Sequence, residues 1–515
     1  MSNETGMFKL YDIRAKQQAL TGEMKSRLVA ALARYYRESV QADTVVLCRD
    51  ARLYCAGLMD KVLEVFPRFG LNVLFNPVPV STCQFYYSCM RHPQGGGIMI
   101  TSSHNPKDYV GFKLVGKNLQ PVAMGCGPEG GLEKVRSLYL ADLPVPEGLP
   151  AGRLHVIQYQ REYVEYSMRL AGVHPGDFSG MKVFGEFLSG SAGADFAMAM
   201  DLAGADFTLS HAVPDGLFLQ GDPNPIVEAS IAPAREAMRQ GGYDIGFCYD
   251  GDGDRMDVMY RDGSQVLPAL NMSLLIPYIM QIFRPWFGQE FRFKAYVDVK
   301  AAPIALRAIA GAGIEQHMIR NGHSFIKESL SRNFCTGYIT AVEESAHYYM
   351  CFPYDPDDAS KGFAAAENTL FFTLLAVKAL KADPDAYRKL YELQNGLARC
   401  REWPLFFSAP EEMENVLAEV EKQMQSRGAV ILKKMDDGSD LDATLMRFSL
   451  PEQITADSEF PHAWCQAAQR ISRSEDAIAR WEVVASGEAL CKGADALIRT
   501  VTDEYVRRGI ARYEE

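Results

Sequence analysis

Residues 243–249, Tyr-Asp-Ile-Gly-Phe-Cys-Tyr, run without a break into Asp250-Gly251-Asp252-Gly253-Asp254-Arg255, and this junction constrains the fold more than any other part of the chain. The apolar run reads as a buried strand that delivers its loop to the carboxyl end of a sheet, where α/β proteins hold ligands. Carboxylates at alternate positions converge on one centre only if the backbone curls, which the intervening glycines permit. Oxygen donors of this kind favour Mg²⁺ or a similar hard cation over zinc or copper. An EF-hand is excluded, because that loop needs glycine where Arg255 stands and glutamate where Arg261 stands. A solvated acidic turn is the simpler alternative, since Asp and Gly are common turn residues, but the preceding strand argues against it. Cys248 reads as core packing, because a thiolate suits softer ions.

A second polar loop, Thr101-Ser102-Ser103-His104-Asn105-Pro106, follows the strand-like residues 97–101. It gathers hydroxyls and an imidazole in one turn marked by Asn-Pro. Alone it is equally well read as a turn with satisfied hydrogen bonds. Two further segments carry candidate ligands: Val342-Glu343-Glu344-Ser345-Ala346-His347 at the end of a strand, and Arg470-Ile471-Ser472-Arg473-Ser474-Glu475-Asp476.

Together these four segments resemble the motifs of the α-D-phosphohexomutases, the family of phosphomannomutases and phosphoglucomutases. The family's serine loop, Thr-Ala-Ser-His-Asn-Pro, matches 101–106 with Ser102 for alanine, and its metal loop matches 250–255 without change. Its sugar loop, Gly-Glu-x-Ser-Gly-His, is matched with Val342 and Ala346 in place of both glycines. Its phosphate loop, Arg-x-Ser-x-Thr-Glu-Pro, is matched with Ser474 for Thr and Asp476 for Pro. Weaker echoes follow the family's order: Tyr11-Asp12-Ile13-Arg14, Arg49-Asp50-Ala51-Arg52, Asp298-Val299-Lys300, and Gly322-His323-Ser324-Phe325-Ile326-Lys327. Ala15 and Cys48 stand where the family usually has glycine.

The resemblance implies an α/β chain: three related mixed α/β domains and a C-terminal α+β domain with an antiparallel sheet, around one cleft. Residues 1–152 would carry the phosphoserine loop, 153–263 the metal loop, 264–400 the sugar loop and 401–515 the phosphate loop. The residue pattern agrees. Helix-period and strand-like segments alternate up to about residue 400, which implies βαβ layering. Strands are expected at 44–47, 72–75, 97–101, 182–187, 296–299, 316–319 and 338–342. A Pro/Gly-rich stretch at 142–152 reads as a linker.

Composition fits a large soluble enzyme. The chain has 515 residues, 48% of them apolar, and a net charge of −12, which argues against a nucleic-acid or anionic-membrane binder. Its 11 cysteines form no Cys-x-x-Cys pair and read as reduced thiols, consistent with the cytoplasm. No signal pattern opens the chain, and its richest apolar stretch, 274–283, is far shorter than the ~20 residues that span a bilayer.

By resemblance the activity is phosphoryl transfer between the C1 and C6 oxygens of a hexose phosphate, through a phosphoserine at Ser103 and a hexose 1,6-bisphosphate intermediate. Ser103, Asp250, Asp252 and Asp254 would hold Mg²⁺, and Arg14, Arg255 and Lys113 would stabilise the transferred group. Either Lys113 or His104 would be the general acid/base. Arg470, Ser472 and Ser474 would grip the distal phosphate, with Tyr11, Lys300, His323, Glu343, Ser345 and His347 around the sugar. Arg14 and Arg52 are also readable as ion-pair residues, Glu343 as a strand-end carboxylate, Arg470 as a solvated arginine, and His323 as a packed or capping histidine. The expected substrates are mannose or glucose phosphates, handled by a monomer or homodimer. An aminosugar-phosphate mutase, a Mg²⁺-dependent phosphatase or phosphotransferase, and a sugar-phosphate sensor remain as alternatives.

Overall fold

The computed structural model describes residues 5–471 and 477–513; Ser472 and Ser474 lie outside the described residues. Four sheets follow one another along the chain. In the first, the parallel strands Thr44–Arg49, Asn72–Phe75 and Gly96–Ile100 form the centre, and antiparallel Tyr109–Val115 and Ile13–Lys16 extend one side. The second sheet pairs Lys182–Glu186 in parallel with Asp206–Ser210 and Ile245–Tyr249, then turns back through antiparallel Met256–Met259. The third runs Glu315–Ile319, Lys294–Asp298 and Tyr338–Val342 in parallel, followed by antiparallel Tyr348–Pro353 and Phe363–Glu367. The fourth is wholly antiparallel, with Cys465–Ile471 and Ile478–Ala485 at its centre. This is the expected α/β architecture with an α+β end.

Three strands fall at the expected boundaries. Leu154–Val156 adds to the edge of the first sheet rather than opening the second, and Gln265–Val266 closes the second sheet rather than opening the third. Ala398–Phe407, the strand that begins the fourth sheet's pairing, straddles 400. All three are edge or entry strands, so the apolar alternation that marks a boundary from sequence is weak there.

The core explains how the units are joined. One continuous apolar cluster runs from Val46 and Phe85 through Phe187, Phe247 and Leu270 to Phe371, so the first three units share it. The fourth has its own, in which helices Pro410–Ser426 and Glu488–Arg507 cover one face of the sheet around fully buried Trp481. The shared cluster also reaches into the fourth unit through Leu450, Ile454, Trp464 and Val484, and a smaller one, Val299, Leu441, Leu445 and Ala468, bridges the third and fourth as well. All 11 cysteines are unpaired, and nine are buried, as the reduced reading requires. No helix among the described residues is long and apolar enough to cross a membrane.

The strands deliver their motifs to one region. Thr101 follows Gly96–Ile100, Asp250 follows Ile245–Tyr249, Glu343 follows Tyr338–Val342, and Asp50 follows Thr44–Arg49, each at the carboxyl end of a parallel strand. The glycine of Gly111-Phe112-Lys113 is required by close approach. A Cβ there would lie 2.1 Å from the Ile13 carbonyl oxygen on the neighbouring strand.

Asp195, on helix Gly193–Ala203, ties the first unit to the second by accepting from Ser81 Oγ at 3.1 Å and from Gln160 Nε2 at 3.0 Å. Burial raises its pKa to about 7, although both hydrogen bonds act in the opposite direction. The folded chain therefore holds a proton that the unfolded chain releases near the ordinary carboxylate pKa, so this group's contribution to stability falls as pH rises from about 4 through 7. Asp195→Asn should flatten that decline. Its urea midpoint should exceed that of the parent chain at pH 8, and the difference should shrink as pH is lowered to 5.

Candidate active site

The serine loop is built on a buried arginine. Arg52 is fully buried beside Asp50, to which its Nε donates at 3.1 Å. Its two terminal nitrogens donate to three loop carbonyls: Pro106 at 2.6 Å, Ser103 at 2.7 Å and Asn105 at 2.5 Å. A carboxylate-backed guanidinium thus holds the loop from behind, and its planar fork suits several acceptors at once. Ser103 has φ +50°, a left-handed conformation that costs a side-chain-bearing residue energy and persists only where its surroundings impose it. The Thr101 hydroxyl accepts from Ser103 N at 2.9 Å and lies 2.8 Å from Asp50 Oδ2 and 3.0 Å from Asp252 Oδ2. Ser103 Oγ then stands 3.1 Å from Asp250 Oδ2 and 3.3 Å from His104 Nδ1.

Asp250, Asp252 and Asp254 are fully buried and converge so that one oxygen from each lies within 4.8 Å of the others. Lys113 enters the same space, donating to Asp252 at 2.8 Å and also to Asp254. Burial opposes the charge of this ammonium, but the aspartates outweigh it and raise its pKa. Burial and then the neighbouring carboxylates push Asp250 well up, whereas Asp254 is lowered because Lys113 outweighs its burial. Asp252 Oδ1 and Asp254 Oδ1 are buried without a hydrogen-bond partner among the described residues. Bare buried carboxylate oxygens are costly, and three carboxylates against Lys113 and the more distant Arg255 leave the cluster short of positive charge. Asp250, Asp252, Asp254 and Ser103 therefore fit a hard divalent cation.

Cations and neutral imidazoles surround this cluster. Arg255 lies 3.8 Å from Asp250 and donates from Nε to His347 Nε2 at 3.0 Å. Because arginine only donates, the neutral His347 ring carries its hydrogen on Nδ1. That nitrogen faces Glu367 at 3.8 Å and Asp254 at 4.0 Å. Arg14 is held between Asp12 and Asn105 Oδ1, each at 2.7 Å. Burial, and then nearby cations, push His104, His323 and His347 well below the ordinary imidazole range, so all three are neutral.

The third unit closes the cluster. Tyr11 donates its hydroxyl to the Asn321 carbonyl at 3.0 Å and packs edge-on against Phe325, joining the first unit to the His323 loop. Glu343, expected as an acceptor for sugar hydroxyls, already accepts from Gly322 N at 3.1 Å, Asn321 Nδ2 at 3.2 Å and the Tyr349 hydroxyl. Its carboxylate fixes the His323 loop instead of standing open. Ser345 sits half-buried at the tip of its turn. Ala346, in a glycine's place, still takes φ +67°, and its carbonyl accepts from Met256 N at 3.0 Å. The turn therefore keeps its shape at a cost of about 1 kcal/mol.

Lys300 and Arg470 form a separate group at the third–fourth junction, where both meet Glu402. Asp298 connects this group to the sugar loop. It accepts from Glu344 N at 3.0 Å and lies 3.9 Å from Lys300 Nζ.

Three contributors escaped the sequence reading in whole or in part. Arg52 belonged to a weak motif and was readable as an ion-pair residue, but only folding carries its side chain beneath residues 103–106. Glu367 ends the strand Phe363–Glu367 and pairs with buried Lys327 at 2.9 Å, with no motif around it. Glu402 lies on a strand read only as the start of the last segment. Of the expected residues, Ser103, His104, Lys113, Arg14, Arg255, Tyr11, His323, Glu343, His347 and the three aspartates belong to one contact network.

Comparison with known proteins finds related sequences and a similar fold. Residues 5–123 match the family model for phosphoglucomutase/phosphomannomutase, alpha/beta/alpha domain I, and residues 161–263 match domain II of the same family. The phosphomannomutase of Escherichia coli K12 is 29% identical over 350 residues, spanning 67% of this chain and 72% of that protein. The phosphoglucomutase of Neisseria meningitidis serogroup A is 28% identical over 345 residues, 67% of this chain and 70% of that one. The crystal structure of a phosphoglucomutase/phosphomannomutase family protein from Burkholderia thailandensis superposes with a TM-score of 0.74 over 99% of both chains at 20% identity.

Arg52→Met should release the serine loop and leave Asp50 buried without its partner. The expected outcome is a stability loss of about 3–5 kcal/mol in denaturant titration and a fall in kcat of about 100-fold. Full turnover in a folded variant would show that the loop needs no such clamp.

Proposed function

Because the chain belongs to the α-D-phosphohexomutase family of phosphoglucomutases and phosphomannomutases, we propose that it interconverts hexose 1-phosphates and 6-phosphates, of mannose, glucose or both, through a phosphorylated Ser103. The enzyme class is that of its relatives, an intramolecular phosphotransferase acting as an isomerase. The observation that carries the reading is Ser103 Oγ, held 3.1 Å from Asp250 at the edge of a buried carboxylate cluster with two bare oxygens.

In the forward half-reaction a hexose-phosphate hydroxyl attacks phosphorus on phosphorylated Ser103. A bond forms between phosphorus and the sugar oxygen, the bond from phosphorus to Ser103 Oγ breaks, and the hydroxyl proton passes to a base. The resulting hexose 1,6-bisphosphate turns over in the cleft and returns its other phosphoryl group to Ser103. A serine ester suits this role, since it stores the group while the sugar reorients.

Mg²⁺ held by Asp250, Asp252, Asp254 and the Ser103 group would neutralise phosphoryl charge and polarise phosphorus. The remaining charge falls to the protein. Arg255, Arg14 and Lys113 would surround the transferred group with fixed positive charge that needs no reorganisation during the reaction. Neutral His104, 3.3 Å from Ser103 Oγ, is suited to take and return the proton. Lys113 is held in its charged form by the aspartates and is better suited to stabilising the phosphoryl group. Tyr11, His323, Ser345 and His347 would line the sugar, with Glu343 supporting the His323 loop. Arg470 and Lys300, with Ser472 and Ser474 of the same loop, would bind the distal phosphate.

A coupled assay of mannose 1-phosphate and glucose 1-phosphate, with Mg²⁺ and a trace of glucose 1,6-bisphosphate, tests this reading. Turnover should vanish in Ser103→Ala, and the ratio of the two rates names the preferred sugar. Slow phosphate release without isomerisation would point instead to a Mg²⁺-dependent phosphatase. Asp252→Asn should remove turnover and weaken Mn²⁺ binding in calorimetry while the circular dichroism spectrum stays that of the parent. Full activity at saturating Mg²⁺ would refute the ligand assignment.

A further inference from the structure

At the junction of the third and fourth units, one carboxylate sits where three cations converge. Glu402 accepts from Arg470 through both oxygens, at 2.9 Å from Nε and 2.8 Å from Nη2. Lys300 Nζ lies 3.7 Å from one of these oxygens and Arg480 Nη1 3.7 Å from the other. The Glu402 side chain is 23% exposed and that of Arg470 22%, so the group opens to solvent. A bidentate guanidinium backed by further cations is the arrangement a phosphate seeks, and here a protein carboxylate has taken it.

The local backbone explains how Glu402 comes to point there. Strand Ala398–Phe407 pairs with Ile478–Ala485 in regular register up to Cys400 and again from Trp403, with Arg401 and Glu402 in the irregularity between. Such bulges re-aim a side chain and release it from the ladder's fixed alternation. Burial works against the charge of Glu402, but Lys300 and Arg470 outweigh it and hold the carboxylate well below its usual range. It is therefore an anion at any working pH.

We propose that Glu402 is a built-in counter-anion of the distal phosphate site, occupying the grip of Arg470, Lys300 and Arg480 in the free enzyme and displaced when a phosphate monoester enters. The proposal rests on the reading of Arg470 as the phosphate grip. Physically, three clustered cations repel one another, and Glu402 adds to the relief that Asp298 gives Lys300 from 3.9 Å. A phosphate dianion cannot share the same fork with it, so binding must work against Glu402, which lowers affinity for a group that has to be released each time the bisphosphate turns over.

The test is calorimetric titration of inorganic phosphate and of glucose 6-phosphate, at fixed ionic strength, into the parent chain, Glu402→Gln, Glu402→Ser and Arg470→Gln. Both Glu402 variants should bind about five- to tenfold more tightly, the effect of removing one nearby negative charge in a partly exposed site. Arg470→Gln should bind more weakly than the parent. Unchanged or weaker binding in both Glu402 variants would overturn the proposal and make Glu402 a fixed partner that orients Arg470. If Arg470→Gln leaves both affinities unchanged, the phosphate-grip reading falls, and the proposal falls with it. Because these are binding measurements, failure of the isomerase reading would show separately, in the coupled assay.

Discussion

A buried surplus of negative charge organises this molecule. Asp50, Asp250, Asp252, Asp254 and Glu367 all lie out of contact with water near the meeting point of three sheets. Each buried carboxylate costs several kcal/mol unless it is paired and hydrogen-bonded. Arg52, Lys113, Arg255 and Lys327 are drawn in to meet that demand, and each does a second job by being there. Arg52 clamps the serine loop, and Lys113 ties Asp252 to Asp254. Arg255 fixes the tautomer of His347, and Lys327 reaches across to the Tyr86 hydroxyl of the first unit. The two aspartate oxygens left bare mark where a cation would complete the balance.

The same requirement accounts for the division between the units. The first three share an unbroken apolar core, so the loops that build the charge cluster are held against one another by packing. The fourth carries its own core and also joins the shared one through Leu450, Ile454, Trp464 and Val484, with polar bonds such as Gln466 Nε2 to the Ala301 carbonyl at 3.1 Å.

Much of this was legible from the chain. The central strands were visible because their apolar runs end abruptly at polar motifs, and the match at Asn72–Phe75 and Tyr338–Val342 is residue for residue. Strands without such contrast were not visible. Asp206–Ser210 is half-exposed and carries little apolar signal, while Phe363–Glu367 is mostly alanine. The same limit holds at the unit boundaries, since Leu154–Val156 is exposed along its length and takes its place only by pairing with Asn72–Phe75.

The sequence by itself determined the local chemistry: a curled loop of three carboxylates, a serine beside a histidine, and strands to carry them to a sheet's edge. These are short-range facts, dictated by glycine's freedom, by alternation and by donor type. Only the tertiary structure decided how the charges are shared. It sent Arg52 beneath the serine loop, spent Glu343 on the Asn321–Gly322 backbone, kept Lys113 charged among the aspartates and His104 neutral beside Ser103, and put Glu402 into the grip of Arg470. Such assignments depend on burial and on partners tens to hundreds of residues away, because an ionisable group's state is set by what surrounds it in space.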